Sequence, residues 1–272
     1  MTEQQNTNAA TVSKIRTIAY WVTTAIIVLE TGVGAWWDIM KIPFVSNVMQ
    51  HLGYPLYILS IIGFWKVFAV IALLIPGFPR VKEWAYAGVF FVYTGAAASH
   101  LAMGDVSAAW SPVVFACITV ASRALRPASR RLKPSPIFED KSQAESTATK
   151  KWKSIAYWSI IVILEFVLLS AGIAELMHFS GNVEGIVNQL GCPMYFLTIQ
   201  GVWKILAALA LLMPRFPMLK EWAYAGIIFN MTGAVASSAI CGLGAGHLIA
   251  PLIIAGIAVT SWELRPPLRK FA

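Results

Sequence analysis

Charged residues are scarce in this chain. They make up 12% of its 272 residues, whereas hydrophobic residues make up 58% and the mean hydropathy is +0.67. A soluble domain averages about a quarter charged residues. The composition therefore excludes an ordinary soluble domain and predicts an integral membrane protein.

Cysteine and histidine are also few, with three cysteines and four histidines. The absence of C-x-x-C excludes the usual thiol-oxidoreductase and zinc patterns. The histidines do not show H-x-x-x-H spacing, so we expect no metal site. The sequence also has no glycine-rich phosphate loop, nucleophile elbow or paired catalytic carboxylates.

The net charge of +8 and the pI near 9.5 would suit nucleic-acid binding. However, the basic residues lie at the ends of apolar runs and in one central stretch, where they are typical of membrane topology. We therefore expect the lipid bilayer, and not nucleic acid, as the partner of these charges.

The dominant feature of the sequence is an internal duplication. Residues 52–88 and 190–226 are identical at 23 of 37 aligned positions without a gap. Each copy contains a lysine inside an apolar run, a P-x-F-P turn and the sequence KEWAYAG. A repeat of this kind predicts two apolar helices joined by a tight turn, formed twice.

Hydropathy extends each copy to four spans, because about 20 apolar residues cross the hydrocarbon core. The predicted spans are 15–37, 54–75, 83–103, 109–125, 154–177, 193–213, 219–240 and 247–264. The predicted domains are a disordered N-terminal tail (1–13), repeat 1 (14–125), a cytoplasmic linker (126–153), repeat 2 (154–264) and a C-terminal tail (265–272). The polar stretch 38–53 is expected to be a loop or an interfacial segment.

The predicted fold class is an all-α integral membrane protein with two tandem parallel four-helix bundles and eight spans. An even number of spans per copy makes both copies enter from the same side, as parallel repeats. Of the 21 lysines and arginines, 18 fall on one side, which contains both termini, the linker and the P-x-F-P turns. The positive-inside rule places that side in the cytoplasm of a cell (plasma or inner) membrane.

Several motifs occur in both copies, namely L-G-x-P-x-Y, G-x-W-K, L-L-x-P-x-F-P-x-x-K-E-W-A-Y-A-G, T-G-A and a closing L-R-P. Together they resemble the DoxX-like family of small four-helix membrane proteins, here in tandem. The resemblance implies fold and location. The wider group includes the DoxD subunit of thiosulfate:quinone oxidoreductase, a distant likeness that implies a quinone as one candidate ligand.

Four ionisable residues lie within predicted spans, where a charge is costly and is by default a functional hypothesis. They are Glu30, Lys66, Glu165 and Lys204. From their depths along the helices we predict two internal pairs, Glu30 with Lys66 and Glu165 with Lys204. The open alternatives are a structural ion pair, a lysine that extends to the interface, and a ligand-binding site.

Other candidate ligand-binding residues are Trp65 and Trp203, which directly precede the two lysines, together with His100 and Asn230. Asn230 lies in a stripe of small residues that we expect to pack against another helix. The stripe is Ala85, Gly88, Gly95 and Ser99 in the first copy and Ala223, Gly226, Gly233 and Ser237 in the second.

Two cysteines, Cys192 and Cys241, map to the outer ends of neighbouring predicted helices. A disulfide between them requires Cα atoms within about 7 Å. Cys117, in the middle of the fourth span, is expected to remain a free thiol that packs as a small apolar group.

The sequence leaves the function open between three classes and does not decide whether the protein is an enzyme. The favoured interpretation is a non-catalytic subunit or an assembly or scaffold protein that docks another membrane protein. The alternative is a redox-associated subunit that binds a quinone or another lipophilic small molecule in the helix bundle. A small-molecule transporter is the weaker alternative, because no long helix-breaking motif occurs at mid-depth.

The predicted topology can be tested by cysteine labelling. Single cysteines introduced at Ser142, in the linker, and at Asn182, in an outer loop, should react with an impermeant maleimide from opposite sides of the membrane. Labelling of both positions from outside intact cells would exclude parallel repeats.

Overall fold

The computed structural model describes residues 3–127, 130, 147–214 and 216–265, and every regular element in these ranges is helical. The α-helices are α1 (Glu3–Met40), α2 (Pro43–His51), α3 (Tyr57–Leu74), α4 (Pro79–Ala102), α5 (Val106–Leu125), α6 (Thr147–Leu176), α7 (Ser180–Asn182), α8 (Met194–Leu212), α9 (Pro217–Ile240) and α10 (Ala245–Leu264). A π-helical segment, Val183–Gln189, follows α7. The predicted all-α fold is confirmed.

Within the described residues, seven helices are long and apolar enough to cross a membrane, namely α1, α3, α5, α6, α8, α9 and α10. Helix α4 is not among them, although it has the same length, 24 residues, as its counterpart α9. It is more polar, with Arg80, Tyr93 and His100 where α9 has Met218, Met231 and Ser238. The composition of the helices thus supports seven of the eight predicted spans.

The chain forms two compact units. The first comprises Met1–Ile42 and Ile62–Leu132. In this unit α5 packs against α1 and α4, and the later part of α3 packs against α1. Its interior contains the buried tyrosines Tyr20, Tyr86 and Tyr93. Each brings a hydroxyl into the core, where a hydrogen-bond partner is needed.

The second unit comprises Pro43–Ile61 and Lys133–Ala272. Helix α6 packs against α8 and α10, and α9 packs against the same two helices. The core residues are Tyr157, Ile161, Leu164, Leu168, Ala208, Leu211, Ala223, Tyr224, Ile227, Met231 and Ala258. Because Pro43–Ile61 belongs to the first sequence repeat, the boundary between the units does not coincide with the boundary between the repeats.

Large apolar side chains are exposed on the outside of both units. Phe166 on α6 is 73% exposed and Trp110 on α5 is 65% exposed. Apolar surface on this scale is expected where lipid, and not water, surrounds the helices. The protein is a membrane protein.

Two predicted boundaries differ from the structure. Helix α1 begins at Glu3, so it includes most of the stretch 1–13 that we expected to be a disordered tail. Ala9 and Ala10 in that stretch favour helix. Helix α6 begins at Thr147, inside the predicted linker. Residues 128–129, 131–146 and 266–272, which hold most of that linker and of the C-terminal tail, lie outside the described residues.

The polar stretch 38–53 contains helix α2. Pro43 is its first residue, where a missing N–H costs least. Met49 is buried whereas Phe44 is 64% exposed, so the helix buries only part of its apolar surface. This arrangement is consistent with the expected interfacial segment.

Both repeats place a residue with left-handed backbone just after their first long helix. Lys41 follows α1 and His178 follows α6, each with φ of 49°. The N–H of Lys41 donates to the carbonyl of Asp38 at 3.3 Å, and that of His178 to Glu175 at 3.1 Å. A residue other than glycine loses about 1–2 kcal/mol when its backbone adopts the left-handed conformation. In both repeats the first long helix therefore ends in the same turn, three residues after Asp38 or Glu175.

Part of the small-residue stripe is buried, including Ala85, but the middle glycine of each copy makes no close helix contact. A Cβ added to Gly95 or Gly233 would meet no neighbouring atom within 4 Å. The close approaches occur instead at Gly63 and Gly201, the glycines of the two G-x-W-K motifs. A stripe of small residues shows that close packing can occur, but it does not show which helix face has a neighbour.

Candidate functional site

A buried ion pair lies near the end of α1 that precedes α2; we call this side of the bundles the outer side. The ammonium of Lys66, on α3, lies 2.8 Å from a carboxylate oxygen of Asp38 in the last turn of α1. Their side chains are only 14% and 6% exposed. A Cβ on Gly63 would lie 3.1 Å from the carbonyl oxygen of Ala35. This glycine allows the two helices to approach closely enough for Lys66, one turn later, to reach Asp38.

The second repeat builds the same pair. The ammonium of Lys204, on α8, bonds the carboxylate of Glu175 near the end of α6. A Cβ on Gly201 would lie 2.7 Å from the carbonyl oxygen of Gly172, a distance that no side chain tolerates. The G-x-W-K motif thus specifies a close helix contact followed by an acid–lysine bond.

The predicted pairs Glu30–Lys66 and Glu165–Lys204 are therefore wrong in their acidic partners. Helical side chains lean toward the N-terminus, which directs both lysines toward the outer end of their helices. Glu30 lies 8 residues before Asp38 in α1, about 12 Å deeper. Because the side chain of Lys66 extends toward the outer side, its ammonium bonds Asp38 at the end of α1 and not the deeper Glu30.

Glu30 nevertheless lies close to this pair. A Cβ on Gly34 would be 3.0 Å from the ammonium of Lys66 and 3.9 Å from Oε1 of Glu30. The other carboxyl oxygen of Glu30 is buried and has no hydrogen-bond partner within the described part of the chain. The first bundle thus contains two acidic groups near one lysine, and Glu30 has an unused acceptor.

Glu165 lies on α6 and is only 7% exposed. Both of its carboxyl oxygens are buried without a hydrogen-bond partner in the described residues. Its equivalent is absent from the first repeat, where Val28 stands at the aligned position. Burial of an unpaired polar group is costly, so this residue remains a candidate for ligand binding.

A second set of polar contacts lies at the opposite, inner side, where the P-x-F-P turns join the helices. Lys82, in the first turn of α4, is fully buried. Its ammonium donates to the carbonyls of Ala72 at 2.7 Å and Leu73 at 3.1 Å, and also to Ile75. The last carbonyls of a helix have no intrahelical partner, and a cation is favoured there. Lys82 therefore caps the C-terminus of α3.

Lys220, in the first turn of α9, repeats this cap at the end of α8. It is 1% exposed and donates to the carbonyls of Leu211 at 2.6 Å and Ala210 at 3.1 Å, and also to Met213. The lysine of KEWAYAG is thus a structural cap in both repeats.

The glutamate of the same motif anchors the last helix of each repeat. Glu83 accepts hydrogen bonds from Arg123, at 2.8 Å, and from Arg126. Glu221 accepts from the indole N–H of Trp262 at 2.9 Å and from Arg265 at 2.6 Å. Charge-assisted bonds of this kind are the stronger ones in proteins. They explain the arginine of the closing L-R-P motif.

The tyrosine of KEWAYAG completes the contact with the last helix. The hydroxyl of Tyr86 lies 3.0 Å from that of Ser122, and Tyr224 lies 2.7 Å from Ser261. These roles of the lysine, glutamate and tyrosine were not predicted from the sequence. The available signal was the identity of the lysine, glutamate and tyrosine in both copies, together with the arginine at the end of each.

The other predicted ligand-binding residues have varied surroundings. Trp65 is half-buried beside the exposed rings of Phe64 and Phe68, with centroids at 6.0 and 6.2 Å. Nδ1 of His100 lies 3.6 Å from the carboxylate of Asp105, just beyond the end of its own helix. Trp203 and Asn230 are half-buried. Among the described residues, no three His, Cys, Asp or Glu side chains are grouped to hold a metal ion.

The three cysteines are free thiols. The disulfide considered possible between Cys192 and Cys241 is not formed in the structure, where both thiols lie near the hydroxyl of Tyr57. Burial raises the pKa of the Cys192 thiol to about 11, and the nearby Tyr57 hydroxyl acts weakly in the opposite direction. Cys117 is exposed on α5 and not packed inside as expected.

These observations define a helical membrane protein built from two repeats of one motif-rich design. A comparison with known protein families matches the DoxX-like family twice, over residues 22–122 and 159–261. The chain belongs to the DoxX-like family, with two copies of the family's domain in tandem. No match was found among curated proteins or among solved structures.

The outer ion pair should show strong energetic coupling. Replacing Lys66 by Met, or Asp38 by Asn, should each cost about 3–5 kcal/mol of unfolding free energy, because one buried charge loses its partner. The double variant should lose clearly less than the sum. Unfolding in mixed detergent micelles would measure this cycle.

The matched control is the cycle on Glu165→Gln and Lys204→Met, two residues that do not bond each other. Their effects should add within about 0.5 kcal/mol. Additive losses for Lys66 and Asp38 would contradict the observed pair.

Cys192 should react slowly with thiol reagents, because only the thiolate attacks. In a variant that keeps only Cys192, the alkylation rate should rise about tenfold per pH unit from pH 7 to 10, since its pKa is about 11. Mass spectrometry of iodoacetamide labelling measures the rate, with the same variant in SDS as the unfolded control. A rate that levels off near pH 9 in the folded protein would contradict the raised pKa.

Proposed function

We propose that this DoxX-like protein is a non-catalytic integral membrane subunit that serves in assembly or as a scaffold for another membrane protein. The observation that carries this proposal is the use of the charges that both repeats share. Lys82 and Lys220 cap helices, whereas Glu83 and Glu221 anchor the last helix of each repeat. These side chains hold helix ends together, which supports a structural use of the shared charges.

The lysines at the outer side are also used in structural bonds, because Lys66 and Lys204 each bond an acid of a neighbouring helix. What remains accessible is a wide apolar surface facing lipid, on which aromatic side chains such as Trp110 and Phe166 are exposed. Such a surface suits contact with the helices of a partner membrane protein, where packing and not the hydrophobic effect drives association.

The proposal includes the orientation of the chain. The excess of lysine and arginine supports cytoplasmic termini in a plasma or inner membrane, with the P-x-F-P turns on the cytoplasmic side. The labelling experiment at Ser142 and Asn182 tests this part separately.

One observation favours a second candidate, a redox-associated subunit that binds a quinone or another lipophilic molecule. Glu30 offers an unused carboxyl oxygen beside the ammonium of Lys66. A hydroxyl of a reduced quinone could donate to the former, and a carbonyl of an oxidised quinone could accept from the latter. The exposed rings of Phe64 and Phe68 lie on the same helix as the lysine.

The test is purification of the full-length protein in mild detergent, followed by mass spectrometry of the proteins and of the lipid extract. We expect a membrane protein to co-purify in fixed ratio, with quinone present only at the level of the bulk lipid. A stoichiometric quinone without a protein partner would overturn the first proposal.

Two matched variants separate the candidates. Glu30→Gln should abolish any stoichiometric quinone if the second candidate is correct, whereas Glu165→Gln, in the other repeat, should leave it bound. Under the first candidate both variants retain the protein partner. A quinone lost equally from both variants would count against a site at Glu30.

A further inference from the structure

The two L-G-x-P-x-Y motifs bond each other. The hydroxyl of Tyr57 donates to the backbone carbonyl of Leu190 at 2.8 Å, and that of Tyr195 donates to the carbonyl of Leu52 at 2.5 Å. Each tyrosine therefore reaches the leucine that begins the other copy of its own motif. We call the two segments, 52–57 and 190–195, the loop clasp.

The glycines and prolines of the motif are also reciprocal. Gly53 and Gly191 have φ of 75° and 73°, which favours glycine. A Cβ on Gly53 would lie 3.6 Å from Pro193, and one on Gly191 would lie 3.9 Å from Pro55. Each proline thus covers the glycine of the other copy. The left-handed turns thus lie at the contact between the two segments.

Aromatic rings close one side of the clasp. The ring of Tyr54 meets those of Tyr195 and Phe196 edge to face, with centroids at 5.8 and 5.6 Å. The aligned position of Tyr54 in the second copy is Cys192, which is 4% exposed. Only the ring contact is one-sided, whereas the hydrogen bonds and the glycine–proline contacts occur in both directions.

Contacts in which residue i meets j and j meets i are the mark of an interface between two copies related by a two-fold axis. Here the clasp lies entirely inside the second unit, which takes in Pro43–Ile61 from the first repeat.

We propose that each L-G-x-P-x-Y loop is a docking element whose partner is a second loop of the same kind, so that this chain is a fused form of a loop-clasped dimer. The clasp, and not the linker, then holds the two repeats together. The loop clasp is an interface in its own right, whether or not another protein or a quinone binds elsewhere on the chain.

The experiment uses the intact, purified protein with a protease site between Lys141 and Ser142 and an affinity tag at the C-terminus. After cleavage, the tagged piece is captured in mild detergent and the retained N-terminal piece is quantified over a dilution series. We expect most of the N-terminal piece to be retained. In the double variant Tyr57→Phe, Tyr195→Phe the apparent dissociation constant should rise about thirtyfold, the factor for the loss of two hydrogen bonds.

The matched control is Tyr86→Phe, Tyr224→Phe, which removes two tyrosine hydroxyls that bond serines inside the bundles. It should retain the N-terminal piece as well as the unchanged protein does. Elution of each uncut variant by size exclusion shows that it has folded. Separation of the unchanged pieces on cleavage, or equal weakening by the clasp and control variants, would overturn the proposal.

Discussion

The structure depends on one constraint, that a polar backbone group in an apolar medium must find a partner. A P-x-F-P turn ends the helix, and the last carbonyls of a helix have no intrahelical partner. The lysine of the next helix resolves the problem at both turns, where Lys82 and Lys220 each donate to three carbonyls. An ammonium has three donors, so this geometry uses its full capacity.

Charged side chains are also bonded to partners at both ends of each bundle. At the inner end a glutamate holds the arginine that closes the last helix, and at the outer end an acid holds the lysine of G-x-W-K. Two acids within the bundles are not used in this way. Glu30 and Glu165 lie at positions that do not align, and both have buried oxygens without partners in the described residues.

Much of the fold was readable from the sequence because repetition and hydropathy are strong signals. The duplicated 37 residues and the apolar runs specify helices, turns and the family. The partners of the lysines were not readable in the same way. Depth along a helix placed Glu30 near Lys66, but side-chain lean and the close contact at Gly63 select Asp38. Strict alignment would have favoured Asp38 and Glu175, which are equivalent, over Glu30 and Glu165, which are not.

The lysine caps have a consequence for how such proteins vary in sequence. Lys82 bonds backbone carbonyls, and every residue type supplies a backbone carbonyl. Ile75 and its counterpart Met213 differ between the repeats, yet each accepts the same bond. The lysine is therefore identical in the two repeats while one of its partner positions differs, and analysis of correlated substitutions would overlook a contact on which the hairpin depends. The glutamate contacts behave differently, because exchange of Arg123 for Trp262 changes the donor itself.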